Sequence, residues 1–219
     1  MKYKSSNILF DKQIFNLQNY GGISRYFSEI IYGVSNSKGF HSKPNVFFSN
    51  NVHLKSKQKS NASFIYNLSK FKGKQRIISA LNQRENRSII KLLKNGKYDV
   101  FHPTYYLTEF LNYIPNDKPF VLTVHDMIHE LYPDPNFIDY HNEVFNKSIL
   151  IPKASHIIAV SEHTKNDILK LYPDINVDKI SVIHHGFSFS DNKRALKNQL
   201  KKSYILFVGS RQYYKNFNW

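Results

Sequence analysis

His125 and Asp126 stand at the end of an apolar run, Phe120, Val121, Leu122, Thr123 and Val124. An imidazole there can donate a hydrogen bond to a hydroxyl, or act as acid or base near neutral pH. The plainer alternative is a histidine that satisfies loop backbone groups. His129 follows His125 by four residues, the spacing of a helical metal pair, but the HExxH order is absent and no metal site is expected. His102 closes another apolar run and leads into Pro103, Thr104, Tyr105 and Tyr106. Those aromatics could stack on a sugar face or belong to the core. Gly21 and Gly22 precede a helical pattern, where glycine lets backbone approach a ligand and a helix start attracts an anion. The G-x-G-x-x-G spacing of a dinucleotide site is missing. A phosphate or sugar contact and a plain flexible loop both fit. His184, His185 and Gly186 read as a structural turn. Arg211 and Lys215 flank an expected helix start after Gly209, as a pyrophosphate clamp would or as two solvated charges. Cysteine is absent, which excludes disulfides, zinc thiolates and thiol nucleophiles.

These residues need a scaffold that brings strand ends together. Ile8, Leu9 and Phe10 predict a first strand, and Val46, Phe47 and Phe48 a second. Ile23, Phe27, Ile30, Ile31 and Val34 recur at helical spacing over residues 22–35. Residues 74–94 predict an amphipathic helix, with Ile77, Ile78, Leu81, Ile89, Leu92 and Leu93 on one side and Gly96 as its stop. Strands follow at 98–102, 120–124, 156–160 and 180–183, with helices at 136–151 and from a Ser161 cap to Tyr172. Such alternation predicts an α/β fold, a Rossmann-like doubly wound parallel sheet that binds ligands beyond the carboxyl ends of its strands. Residues 187–203 are polar and Lys-rich and read as a linker, after which residues 204–208 predict a new strand.

Charge is lopsided. Lys and Arg number 31 against 16 Asp and Glu, and residues 30–84 hold ten Lys or Arg with no acidic residue. That excess favours phosphate-bearing partners, whether nucleotide, anionic lipid or nucleic acid. Charge alone argues for nucleic acid, without a recognised motif. No signal peptide or membrane span is present, and the missing cysteines fit a cytoplasmic protein. The helix at 74–94 could rest on an anionic membrane or simply solvate its basic side.

Six segments together resemble family-4 glycosyltransferases, in particular their bacterial mannosyltransferase-like group. They are YGGISRYF from Tyr20, YDVFHPTYY from Tyr98, VLTVHDMIHELYP from Val121, IIAVSEHTKNDI from Ile157, ISVIHHG from Ile180 and ILFVGSRQYYKNF from Ile205. The resemblance implies a GT-B enzyme, two Rossmann-like domains across a cleft. Residues 1–186 would then be the N-terminal acceptor-side domain, 187–203 the linker, and 204–219 the start of a truncated donor-binding domain. It implies transfer of a hexose, with mannose a candidate, from a GDP- or UDP-linked sugar to a glycan or lipid-linked acceptor. Transfer would retain configuration and need no metal or other cofactor. The implied setting is polysaccharide or lipopolysaccharide assembly, in the cytoplasm and at the inner face of the plasma membrane. By the same resemblance His125 and Asp126 are catalytic, with His125 on the transferred sugar. Gly21, Gly22, Arg211 and Lys215 would hold the donor diphosphate, and Arg25, His102, Tyr105 and Tyr106 the acceptor. Two departures stand out. His185-Gly186 replaces the family's usual Asn-Gly, and the family's paired glutamates, separated by seven residues, would lie past Trp219. The 219-residue chain is therefore expected to bind nucleotide sugar poorly and transfer none. A nucleotide-sugar epimerase or hydrolase of the same fold, or a non-catalytic basic domain, are the alternatives.

Overall fold

Strand β1 (Ser6–Phe10) lies between two parallel neighbours, β2 (Phe40–Pro44) and β3 (Val100–His102). Strand β5 (His156–Ala159) likewise lies between β4 (Val121–Val124) and β6 (Ile180–Val182), again in parallel. A parallel bridge between Phe101 and Phe120 joins the two triplets, giving the order β2-β1-β3-β4-β5-β6. The computed structural model describes residues 5–44, 49–57, 71–133, 140–187 and 204–207. Residues Met1–His185 form one compact unit and Gly186–Trp219 a second. The parallel, α/β, Rossmann-like sheet is as the alternation of apolar runs and helical patterns predicts.

Among the described residues seven α-helices join the strands: α1 (Gln13–Leu17), α2 (Gly22–Asn36), α3 (Val52–Lys57), α4 (Lys74–Asn95), α5 (Ile128–Leu131), α6 (Tyr140–Lys153) and α7 (Glu162–Leu171). Two apolar clusters hold them to the sheet. Phe10, Ile14, Phe15, Phe27, Ile31 and Leu54 form one. The larger gathers Phe101, Leu122, Val124, Leu150, Ile151, Ile157 and Ile168, all nearly inaccessible to water. Strands buried this way read as near-continuous apolar runs, so β4 and β5 stand out in the sequence.

Some expectations shift. The second strand is Phe40–Pro44, and Val46, Phe47 and Phe48 lie outside the described residues. Its polar sequence, FHSKP, suits an edge strand, where Pro is tolerated because one side needs no donor. The first half of α4 is less buried than its apolar residues suggest: Ile77 is 44% exposed, whereas Glu85, Ile89 and Leu93 are buried. Gly96 ends α4 in the left-handed region, φ 59°, its N–H bonded to Leu93 O at 3.2 Å. Helix α6 is Tyr140–Lys153 and runs through Pro152, and residues 136–139 of the expected helix lie outside the described residues. Of the second unit, Tyr204, Ile205, Leu206 and Phe207 form no strand among the described residues. No helix among the described residues is long and apolar enough to cross a membrane.

Candidate functional site

Sheet order changes direction between β1 and β3, and ligands of doubly wound sheets gather beyond such carboxyl ends. Just past β1, Asp11 is buried and saturated. Its Oδ1 accepts from Thr104 N (2.9 Å), Thr104 Oγ1 (2.6 Å) and Gln13 N (3.2 Å), and its Oδ2 from Gln13 Nε2 (2.6 Å). Burial raises the Asp11 carboxyl above its ordinary value even though all four bonds pull it down. Lys12, beside it, is buried against Glu85 of α4, 2.7 Å away, and also donates to Asn82 O at 3.2 Å.

His102 ends β3 and is buried at 6% exposure. Its Nε2 pairs with Thr123 Oγ1 at 2.9 Å, and its ring packs on Phe10 and Phe27. Burial, helped by His125 nearby, pushes its pKa down to about 3. His102 thus sits behind the sheet edge, supporting Thr123, where the sequence points to an acceptor contact. Tyr106 is also buried at this edge, and its hydroxyl oxygen accepts the His125 N–H at 3.1 Å. Tyr105 is half-buried and donates to Glu143 Oε2 at 2.9 Å.

His125 follows β4. Its backbone is fixed from both sides, because Thr164 Oγ1, at the start of α7, donates to its carbonyl at 3.3 Å. The Ser161 cap that the sequence predicts sets that helix start, accepting from Thr164 N at 3.1 Å. The His125 side chain is not fixed in the same way: its Nε2 is buried and has no hydrogen-bond partner among the described residues. Tyr26 of α2 meets the His125 ring edge-on at 5.2 Å, and His185 stacks on it at 5.9 Å with the planes 7° apart. Burial, with His185 next to it, pushes His125 down to about 4, so the imidazole is neutral at physiological pH. A neutral imidazole offers one donor and one acceptor nitrogen. Asp126 turns away to start α5, its Oδ1 accepting from Ile128 N at 3.1 Å.

At the start of α2, Gln18 Oε1 accepts the Ser24 N–H at 3.2 Å and so occupies the helix N terminus itself. A Cβ on Gly21 would lie within 2.7 Å of Gln18 Cδ and push that side chain off the helix start. Gly22 faces open space, and the Arg25 side chain is exposed. Arg211 and Lys215 lie outside the described residues.

Residues 58–190, more than half of the chain, match the model of Glycosyltransferase Family 4. The chain belongs to Glycosyltransferase Family 4. No curated protein matches it as a relative. The family match covers β3, β4, β5 and β6 with the loops that follow them, and hence His102, Tyr105, Tyr106, His125, Asp126 and His185. The glycine loop at Gly21 and Gly22 and the cations Arg211 and Lys215 lie outside it.

Within this glycosyltransferase domain the sequence reading missed Lys147, in the middle of α6. Its side chain is fully buried, and its Nζ donates to Glu130 Oε2 (2.8 Å) and Asp126 O (3.2 Å), lies 3.4 Å from Glu143 Oε1 and 5.4 Å from the Tyr106 ring centre. Lys147 therefore ties α5, α6 and the His125-Asp126 turn into one charged knot. Glu143 and Lys147 stand four apart, the spacing of a surface helix pair, which hides their burial. His129 Nδ1 joins the knot, 3.1 Å from Glu143 Oε1. His185, read as a structural turn, is exposed and belongs to the His125 cluster.

Proposed function

We propose that the chain is the acceptor-side part of a retaining hexosyltransferase that takes sugar from a GDP- or UDP-linked donor. Mannose is the first donor sugar to test, and a glycan or lipid-linked acceptor the first acceptor class. The observation that carries this reading is the buried, partnerless Nε2 of His125 at a strand's carboxyl end, within a Family 4 domain. A buried polar atom without a partner is costly unless a ligand supplies one. A sugar hydroxyl does so in either sense, because a hydroxyl both donates and accepts. His125 would orient the hexose, Tyr26 would wall it, and Tyr106 and Thr164 would hold the backbone still. Gly22, open to solvent, leaves room for the diphosphate, with Arg211 and Lys215 as its expected cations. No metal enters this scheme. A basic α4 resting on anionic lipid would bring the acceptor side to a membrane.

Saturation-transfer NMR with GDP-mannose and UDP-glucose tests the reading, since it detects weak ligands. The expected result is transfer to the hexose protons that His125→Ala weakens about three- to tenfold, the range of one hydrogen bond. Equal transfer in parent and variant, or none to either donor, contradicts the assignment.

A further inference from the structure

We propose that His185 is a positioning residue for His125, forming with Tyr26 a three-ring stack that fixes the imidazole plane and aims Nε2 at the ligand. This inference rests on the transferase reading above only for what the ligand is. The stack itself stands on geometry. His185 lies parallel to His125 at 5.9 Å, and Tyr26 meets both rings edge-on, at 5.2 Å to His125 and 5.0 Å to His185. Tyr26 is itself held by Phe27 at 5.1 Å and by its hydroxyl, 3.4 Å from Thr123 Oγ1. Thr123 in turn carries His102, so the support runs from the stack into the buried strand ends.

His185 differs from an ordinary packing residue. It is exposed, and Tyr26 and His125 are its ring contacts among the described residues. Little apolar area is buried by such a contact, so its value lies in orientation rather than in stability. The β6 edge delivers it: Ile183 N bonds Ala159 O at 2.9 Å, which extends the ladder to within two residues of the stack. The His125 backbone is already pinned by Tyr106 and Thr164, leaving the side-chain torsions as its remaining freedom. Rings placed on two sides of the imidazole remove that freedom. Among the described residues, the charged and titratable groups around His125 are His185 on the β6 exit, Asp126 on its own loop, Lys147 on α6, His102 on β3, Tyr106 past β3 and Tyr26 on α2. Burial first, and the neighbouring His185 second, lower the His125 pKa.

Nitrogen-15 histidine NMR on the 219-residue chain tests this, comparing the parent with His185→Phe and His185→Ala. Position 185 is exposed in a loop, so both variants should fold, as an unchanged amide spectrum would verify. The parent should show one sharp set of His125 ring resonances with ring-current-shifted ring protons. His185→Phe should keep both signatures, whereas His185→Ala should broaden the resonances and lose the shift. Both variants should raise the His125 pKa from about 4, because each removes the neighbouring imidazole that helps lower it. In saturation transfer with GDP-mannose, His185→Ala should weaken the hexose signal about two- to tenfold and His185→Phe by less than twofold, the span of one aromatic pair. Unchanged His125 resonances in His185→Ala, or loss of the signatures in His185→Phe, overturns the proposal. If neither donor binds but the NMR signatures behave as stated, the stack stands and the transferase reading fails.

Discussion

Two clusters share the carboxyl edge of one sheet and differ in how completely their polar atoms are answered. Past β1 and β3, Asp11, Lys12, Thr104 and Glu85 all have close partners. Past β4, the buried atoms without a hydrogen-bond partner among the described residues include His125 Nε2 and Glu130 Oε1. Position at the strand ends is the same, so position alone does not make a site. The saturated cluster binds α1 and α4 to the sheet, while the unsaturated one keeps chemistry in reserve. Stability should therefore depend on the first and ligand affinity on the second.

The sharpest break of that contrast is Glu85→Ala. It strands the Lys12 ammonium inside the protein and should destabilise the fold by about 3–5 kcal/mol. Urea denaturation measures it, and a loss below about 1 kcal/mol would mean that the β1 cluster is no more structural than the β4 one. Acid comes next. The unfolded chain takes up a proton on His102 near the ordinary 6.5, the folded chain only near 3. This contribution to stability is complete above about pH 6.5 and shrinks as pH falls below it, by about 2 kcal/mol at pH 5. His125, pushed to about 4, adds a share of the same sign, whereas Asp11, raised by burial, opposes both above its ordinary 3.8. Thermal melts at pH 7.5 and 5 should show a smaller drop in His102→Gln than in the parent. The smallest effect belongs to His125→Phe, which replaces an unanswered nitrogen with carbon of similar shape. Its stability should stay within about 1 kcal/mol of the parent, or rise. A large loss would place His125 among the structural residues and erase the contrast.

Much of the scaffold was legible because its signals are local. β4 and β5 are apolar runs, α2 and α4 carry helical periods, and Ser161 caps α7 as its residue type suggests. β2 was not legible, because an edge strand such as FHSKP needs few apolar residues. The short helices α1, α3 and α5 escape periodicity, having barely one turn or two each. At the site, the end of an apolar strand marked His125. Nothing local marked Lys147 as buried, since its burial depends on Glu130 and on a loop carbonyl far along the chain. His102 and Tyr106 were read as acceptor contacts, with a core role left open for the aromatics, because both leave β3's apolar run. The structure turns them inward, where one supports Thr123 and the other holds the His125 backbone.

Strand order also sets a timetable for the newborn chain. β1 is made first, yet on one side its hydrogen-bonding partner is β3, with Asn7 meeting Asp99, 92 residues later. At ribosomal speeds of roughly 5–20 residues per second, that edge waits on the order of 5–20 s. β2 can cover the other side sooner, since Ser6 pairs with Phe40. β4, β5 and β6 meet over much shorter stretches of chain. The central strand of the first triplet thus waits longest after its own synthesis to be fully enclosed, and the residues just behind it, Asp11 and Lys12, find their partners only after α4 and Thr104 have been synthesised.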